Sequence, residues 1–221
     1  MEHTNGQDSS AGRRMEKEGG QIEVRIRDAL ASLPETVVKV ITEPARFFRE
    51  MPRTGGLVEP LAFLMVMNVI SASLQSVLNL FHIGIVPALL PSLVVVAAVP
   101  FLTIIFGFLV SSILFVIWYA MGSRLPFEAA FRCLAYMSAI SPLTVLLSAI
   151  PLAGGVIGLG WTAYLAIIAS KEVHSVKAWT AWIVFGFIFV VFSLFSIGAE
   201  ITGHRLTGTG SELHQSAEED R

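Results

Sequence analysis

The chain has 221 residues, 54% of them hydrophobic and 14% charged, where soluble domains carry about a quarter charged residues. Between Glu59 and Arg124 there is no Asp, Glu, Lys or Arg, a run far longer than the roughly twenty apolar residues that cross a bilayer, so a water-soluble fold is excluded. The net charge of -2 hides an asymmetry, because nine of the fifteen Lys and Arg precede Leu57 whereas Glu212, Glu218, Glu219 and Asp220 make the end acidic; it is this distribution that carries information.

Residues 1–20 are rich in Gly, Ser, Glu and Arg and are expected to form a disordered tail. Met1 is followed by Glu2 and a long polar stretch, so neither a secretory signal peptide nor a lipidation signature is expected. Over residues 21–53 apolar side chains (Ile22, Ile26, Leu30, Leu33, Val37, Val40, Ile41) recur at helical spacing between charged ones, predicting short amphipathic helices. Ser32 and Glu35 have capping-box spacing with Pro34 in the first turn, and Thr42 with Pro44 can start a further short helix that Pro52 stops. In that piece Phe47, Phe48 and Met51 alternate with Arg46, Arg49 and Arg53, which predicts aromatic rings in the headgroup boundary and guanidinium groups on lipid phosphates. Packing of the same helix on the spanning bundle is the compatible alternative.

An all-α integral membrane bundle is expected over residues 54–200. The first span covers 57–80. The apolar block 83–121 is too long for one perpendicular helix, with Pro87, Pro91 and Pro100 as potential breaks. Charge decides the count: with one span over 98–119, the turn carrying Arg124 and Arg132 and the connector carrying Lys171 and Lys177 face the amino-terminal side. Spans at 133–150, 155–170 and 178–199 complete the set, and the opposite connectors have no charge. Five spans therefore satisfy the positive-inside rule, with the amino terminus cytoplasmic and the carboxyl terminus across the membrane. Residues 83–99 stay open as a re-entrant, interfacial or sixth spanning segment. Trp118, Tyr119, Trp179 and Trp182 are expected in an aromatic belt, and residues 201–221 form a disordered acidic tail.

Within the bilayer Asn68, Ser71, Gln75 and Asn79 share one helical stripe. Such groups need partners in lipid, supplied by another helix or by a wet cavity. Gly107 with Ser111, Ala135 with Ala139, and Gly154 with Gly158 are each four apart, the spacing that lets helices approach closely. Pro142 inside the third span predicts a kink eased by Ser138, Ser141 or Thr144. The five histidines are scattered and Cys133 is the sole cysteine, so no intrachain disulfide, metal site, cofactor or catalytic group is expected. No carboxylate is expected deep in the bilayer, which argues against ion-coupled transport.

The stretch T-E-P-A-R-F-F-R-E-M-P, then E-A-A-F-R-C-L-A-Y-M-S-A-I-S-P, then G-L-G-W-T-A-Y-L-A-I-I-A-S-K-E-V-H-S-V-K-A together resemble the Yip domain family of Ypt- and Rab-interacting membrane proteins. Pro44, Tyr136, Pro142, Trp161 and His174 stand at the matching positions. The resemblance implies a five-helix membrane domain that forms homo- or hetero-oligomers with other membrane proteins and contacts membrane lipids, with no nucleic-acid partner. The compact amino-terminal region resembles prokaryotic members, which implies the cytoplasmic membrane; a eukaryotic member would lie in the endoplasmic reticulum or Golgi. The expected role is a non-enzymatic scaffold or adaptor, and the alternative is a channel or transporter for a neutral or lipidic solute.

Overall fold

The computed structural model describes residues 31–80, 92–150 and 153–219, with Gly20, Val24 and Arg27 besides. The expected tail over 1–19, most of the amphipathic pattern over 21–30 and the segment 81–91 lie outside the described residues. Among the helices whose residues are all described, two short ones come first, α1 (Leu33–Thr42) and α2 (Pro44–Glu50). Then follow α3 (Val58–Leu80), α4 (Ser92–Ala120), α5 (Phe127–Met137), a 3-10 turn (Ser138–Ile140), α6 (Ser141–Leu147), α7 (Ala153–Glu172) and α8 (Ala178–Glu219). Taking α5, the turn and α6 as one unit, five helical segments are long and apolar enough to cross a membrane: Val58–Asn79, Ala98–Ala120, Phe127–Leu147, Ala153–Glu172 and Ala178–Ala199.

The α5 segment is the hub. It packs on α3, α4 and α7 and touches α1. Ala129, Ala130, Cys133 and Ala135 are fully enclosed on it, small side chains that let its neighbours close in, with Phe131 enclosed beside them. On the outer helices the pattern inverts: Phe101, Ile105, Val116, Phe187, Phe192 and Phe195 point outward, as lipid rather than water surrounds them.

Several expectations change. The third span begins at Phe127, not near 133, and Arg132 lies inside it with 1% exposure; a charge is a poor boundary marker when the fold supplies its partners. Pro100 does not break α4, which runs unbroken for 29 residues from Ser92, because a spanning helix tolerates proline when neighbours make good the lost bond. Residues 92–97 thus continue the helix ahead of the second span, which itself runs Ala98–Ala120. Pro142 does interrupt its helix: it sits in the first turn of α6, just after the 3-10 turn. There the Ser141 amide bonds the Ser138 carbonyl that proline leaves free. Ser32 makes no side-chain cap bond; Glu35 instead pairs with Lys39 at 2.7 Å, and Thr42 bonds back to the Val38 carbonyl at 2.8 Å. Residues 201–219 continue α8 rather than forming an irregular tail, since extending an existing helix carries no new nucleation cost.

Candidate interaction surface and polar knots

The connectors after α2, α4 and α7 meet at one end of the bundle, and three sets of polar contacts fasten them. The first is an ion pair: Arg49 Nε donates to Glu172 Oε2 at 2.9 Å, tying α2 to the end of α7.

The second centres on Arg132. Its Nη2 donates to the Gly56 carbonyl at 2.7 Å and its Nε to Glu128 Oε1 at 3.2 Å. The same carboxylate oxygen accepts the Gly56 amide at 2.7 Å. Gly55 and Gly56 have φ of 133° and 96°, a backbone region that β-carbons disfavour. A β-carbon on Gly55 would also meet Arg132 Nη2 at 3.1 Å. The two glycines let the linker press its peptide groups onto the guanidinium.

The third knot surrounds His174. Its ring stacks on Trp118 with centroids 4.1 Å apart, and the indole Nε1 donates to Ser170 Oγ at 2.7 Å. His174 Nδ1 and Ser123 Oγ share a hydrogen bond of 2.8 Å, and Nε2 faces Cys133 Sγ at 3.9 Å. Gly122, at φ 98°, lets α4 end with the Ser123 amide on the Trp118 carbonyl, which delivers Ser123 to the ring. Ser175, at φ 53°, performs the matching turn after α7. Burial, with the Arg53 charge nearby, lowers the His174 pKa to about 4, so the imidazole is neutral at physiological pH. These bonds are all internal: they join helices and leave no side chain of the knot aimed at solvent.

Above this end α1 and α2 make a ridge. Val40, Phe48 and Met51 are buried, and Phe47 packs edge-on against Phe48 and Tyr136, centroids 5.5 and 5.1 Å away. The outward face is charged. Arg46 bonds Glu50 at 3.0 Å and Glu43 at 3.2 Å, all largely exposed. Between the ridge and α5 lies a cleft of about 320 Å³, walled by Glu35, Lys39, Glu43 and Arg46 and floored by Phe47 and Tyr136.

A second concavity lies within the spanning region, a groove of about 310 Å³ between α3, α4 and α6. Asn68, Ser71 and Gln75 form its floor with Thr103, and Leu102 and Phe106 its walls.

The predicted residues thus separate. Phe47 and Phe48 turn into the protein, not into a headgroup layer; Arg46 and Arg49 are engaged by carboxylates, and Arg53 is exposed. Asn68, Ser71, Gln75 and Asn79 do share one face: Asn68 and Ser71 bond the Leu64 and Met67 carbonyls, and Gln75 donates to Asn79 at 3.0 Å. Among the small residues, Gly107 faces Leu64, Ser111 is fully buried, Ala135 and Ala139 lie in the core, and Gly154 and Gly158 rest on Leu147 and Thr144 of α6. Pro44 opens α2 and is buried. Trp161 is a partly exposed α7 side chain against Tyr164. Trp118 is not a belt residue: with 1% exposure it is locked to Ser170, whereas Trp179, at 77%, and Trp182 remain outward. The reading from sequence missed Arg132 with Glu128, and Ser123 and Ser170 around His174. It also missed Thr103, although Thr103, Gly107 and Ser111 form one four-residue stripe.

The family whose model matches the chain is the Yip1 domain, over residues 38–199. The chain belongs to that family. No curated protein and no solved structure matches it. The matched Yip1 domain takes in the last residues of α1, all five spans, both buried knots and the groove, and it ends where the apolar part of α8 ends. Tyr136, Pro142, Trp161 and His174 all fall within it.

Proposed function

We propose that this Yip1-domain membrane protein is a non-enzymatic scaffold or adaptor, with the charged ridge of α1 and α2 as its docking surface and lipids and other membrane proteins, in homo- or hetero-oligomers, as its partners. The observation that carries the proposal is the welding of that ridge to the bundle: Val40, Phe48 and Met51 are buried while Glu35, Lys39, Glu43, Arg46 and Glu50 face outward. A charged face held rigidly loses little conformational freedom when a partner binds. By the distribution of Lys and Arg, the ridge end is cytoplasmic and the carboxyl terminus lies across the membrane; the membrane is the cytoplasmic membrane of a prokaryote. The buried polar groups at that end join helices, which suits a scaffold.

The test is affinity purification in mild detergent from the native host, comparing the wild type with a charge-reversed ridge (Glu35→Lys, Glu43→Lys and Glu50→Lys). A stoichiometric companion lost in the variant, with the melting temperature of the bundle unchanged, supports the adaptor. Companions retained in full by the variant refute the ridge as the docking surface. The second reading, a channel or transporter for a neutral or lipidic solute, is favoured by the groove beside Asn68 and Gln75. Proteoliposome flux that disappears on replacing Asn68, Gln75 and Asn79 would establish it instead.

A further inference from the structure

We infer that the groove between α3, α4 and α6 is a binding site for an uncharged lipid alcohol, of the diacylglycerol type, in the leaflet opposite the ridge. The inference is independent of the scaffold reading.

The argument begins with depth. At 1.5 Å per residue, Gln75 lies about 7 Å and Asn68 about 18 Å below the end of α3 at Leu80. A polar floor at that level sits beneath the headgroups, in the hydrocarbon, where unpaired polar atoms are costly. The protein satisfies part of the hydrogen-bonding capacity there. Asn68 Nδ2 bonds the Leu64 carbonyl at 2.8 Å, Gln75 Nε2 bonds Asn79 Oδ1 at 3.0 Å, and Ser71 bonds the Met67 carbonyl at 2.7 Å. It leaves the rest open: among the described residues neither the Asn68 nor the Gln75 carboxamide oxygen receives a hydrogen bond, each carboxamide keeps a second N–H, and the Thr103 hydroxyl has no partner, although all three line the same space. A hydroxyl, which both donates and accepts, meets such groups of either kind.

Charge then narrows the class. The groove lining contains no ionisable side chain, so a phosphate or carboxylate drawn to this depth would stay unpaired. Shape narrows it further: Leu102, Phe106, Val99 and Val145 make apolar walls suited to an acyl chain, and about 310 Å³ is roughly ten water-sized volumes. A hydroxyl on an acylated glycerol suits this uncharged lining, and the phosphate of a phospholipid headgroup does not.

The experiment uses the full-length protein in phosphatidylcholine nanodiscs, with a trace of either photoactivatable diacylglycerol or photoactivatable phosphatidylcholine bearing the same acyl group. Labelled peptides are mapped by mass spectrometry. The diacylglycerol probe is expected to label α3 and α4 around Gln75 and Leu102 and to be displaced by unlabelled diacylglycerol. Replacing Asn68→Leu and Gln75→Leu together removes both candidate partners of the hydroxyl at nearly constant volume, so that whichever it bonds is lost, and should lower the labelling about tenfold. Thr103→Val is the second variant, and wild-type competition needs no variant to fold. The proposal is overturned if phosphatidylcholine labels the groove equally, if the label falls on the outer face of α8, if labelling is indifferent to both variants, or if cross-linking shows a second copy of the chain filling the groove.

Discussion

Protonating His174 would put a charge between Trp118 and Cys133, in a pocket with Arg53 already near, and burial opposes this strongly enough to lower its pKa to about 4 from 6.5. As the pH falls from 6.5 toward 4 the unfolded chain gains a proton that the folded one refuses. Stability is therefore full above that window and lost within it, by ~3 kcal/mol at the acid end. Melting in detergent at pH 7.5 and pH 5 should reveal the drop, and His174→Phe should flatten the profile. Arg132 offers the complementary case. Deleting its partner through Glu128→Ala leaves an uncompensated buried guanidinium, whose Nη1 is already without a bond, and should cost about 3 kcal/mol. Arg132→Met, which removes the charge itself, should cost less. If both variants melt alike, Glu128 does not serve as the counter-charge.

Helix approach sets the next scale. A β-carbon on Gly154 would overlap the Leu147 carbonyl, while one on Gly186 meets nothing. Gly154→Ala should therefore lower stability by about 2 kcal/mol, and Gly186→Ala should leave it unchanged or slightly raised; equal effects would show that α6 does not pack closely on α7. In the amino-terminal ridge Phe48→Ala empties a filled site and should cost about 3 kcal/mol, read as faster proteolytic cleavage within residues 31–53. These elements differed in legibility. The spans were readable because nothing but length and hydropathy defines them, and the Asn68–Asn79 stripe because helical spacing alone aligns it. Burial of Phe48 and Trp118 was not, because an aromatic beside arginine or at a span end reads the same whether it meets lipid or protein. Arg132 reads as a connector residue for a similar reason: its acceptor on Gly56 is remote in sequence and belongs to a peptide carbonyl, which has no letter of its own.

For the whole molecule the decisive quantity is the side on which each connector lies. Cys133 is the only cysteine and is fully buried, so the wild type is a quiet background for thiol reagents. Lys177→Cys and Ala149→Cys, labelled in intact cells with an impermeant maleimide, should give opposite results, with Ala149→Cys reacting. Reaction of both from outside would overturn the assignment of the ridge to the cytoplasm. His174 explains why the knot was only half legible: the family resemblance marked its position, but Trp118, Ser123 and Cys133, which meet its ring, come from α4, the connector after it and α5, segments that only the folded bundle brings to the end of α7.

The enclosure of α5 bears on biosynthesis. In the finished protein this helix scarcely meets lipid, and it carries Arg132 near the start of the span Phe127–Leu147, a charge whose partners are Glu128 and the Gly56 carbonyl ahead of α3. A segment of that kind gains little by entering the bilayer alone. The surfaces that enclose it on α3 and α4 are made earlier in the chain, so an error in either of the preceding spans would leave the small-residue face of this central helix and the Arg132 guanidinium uncovered.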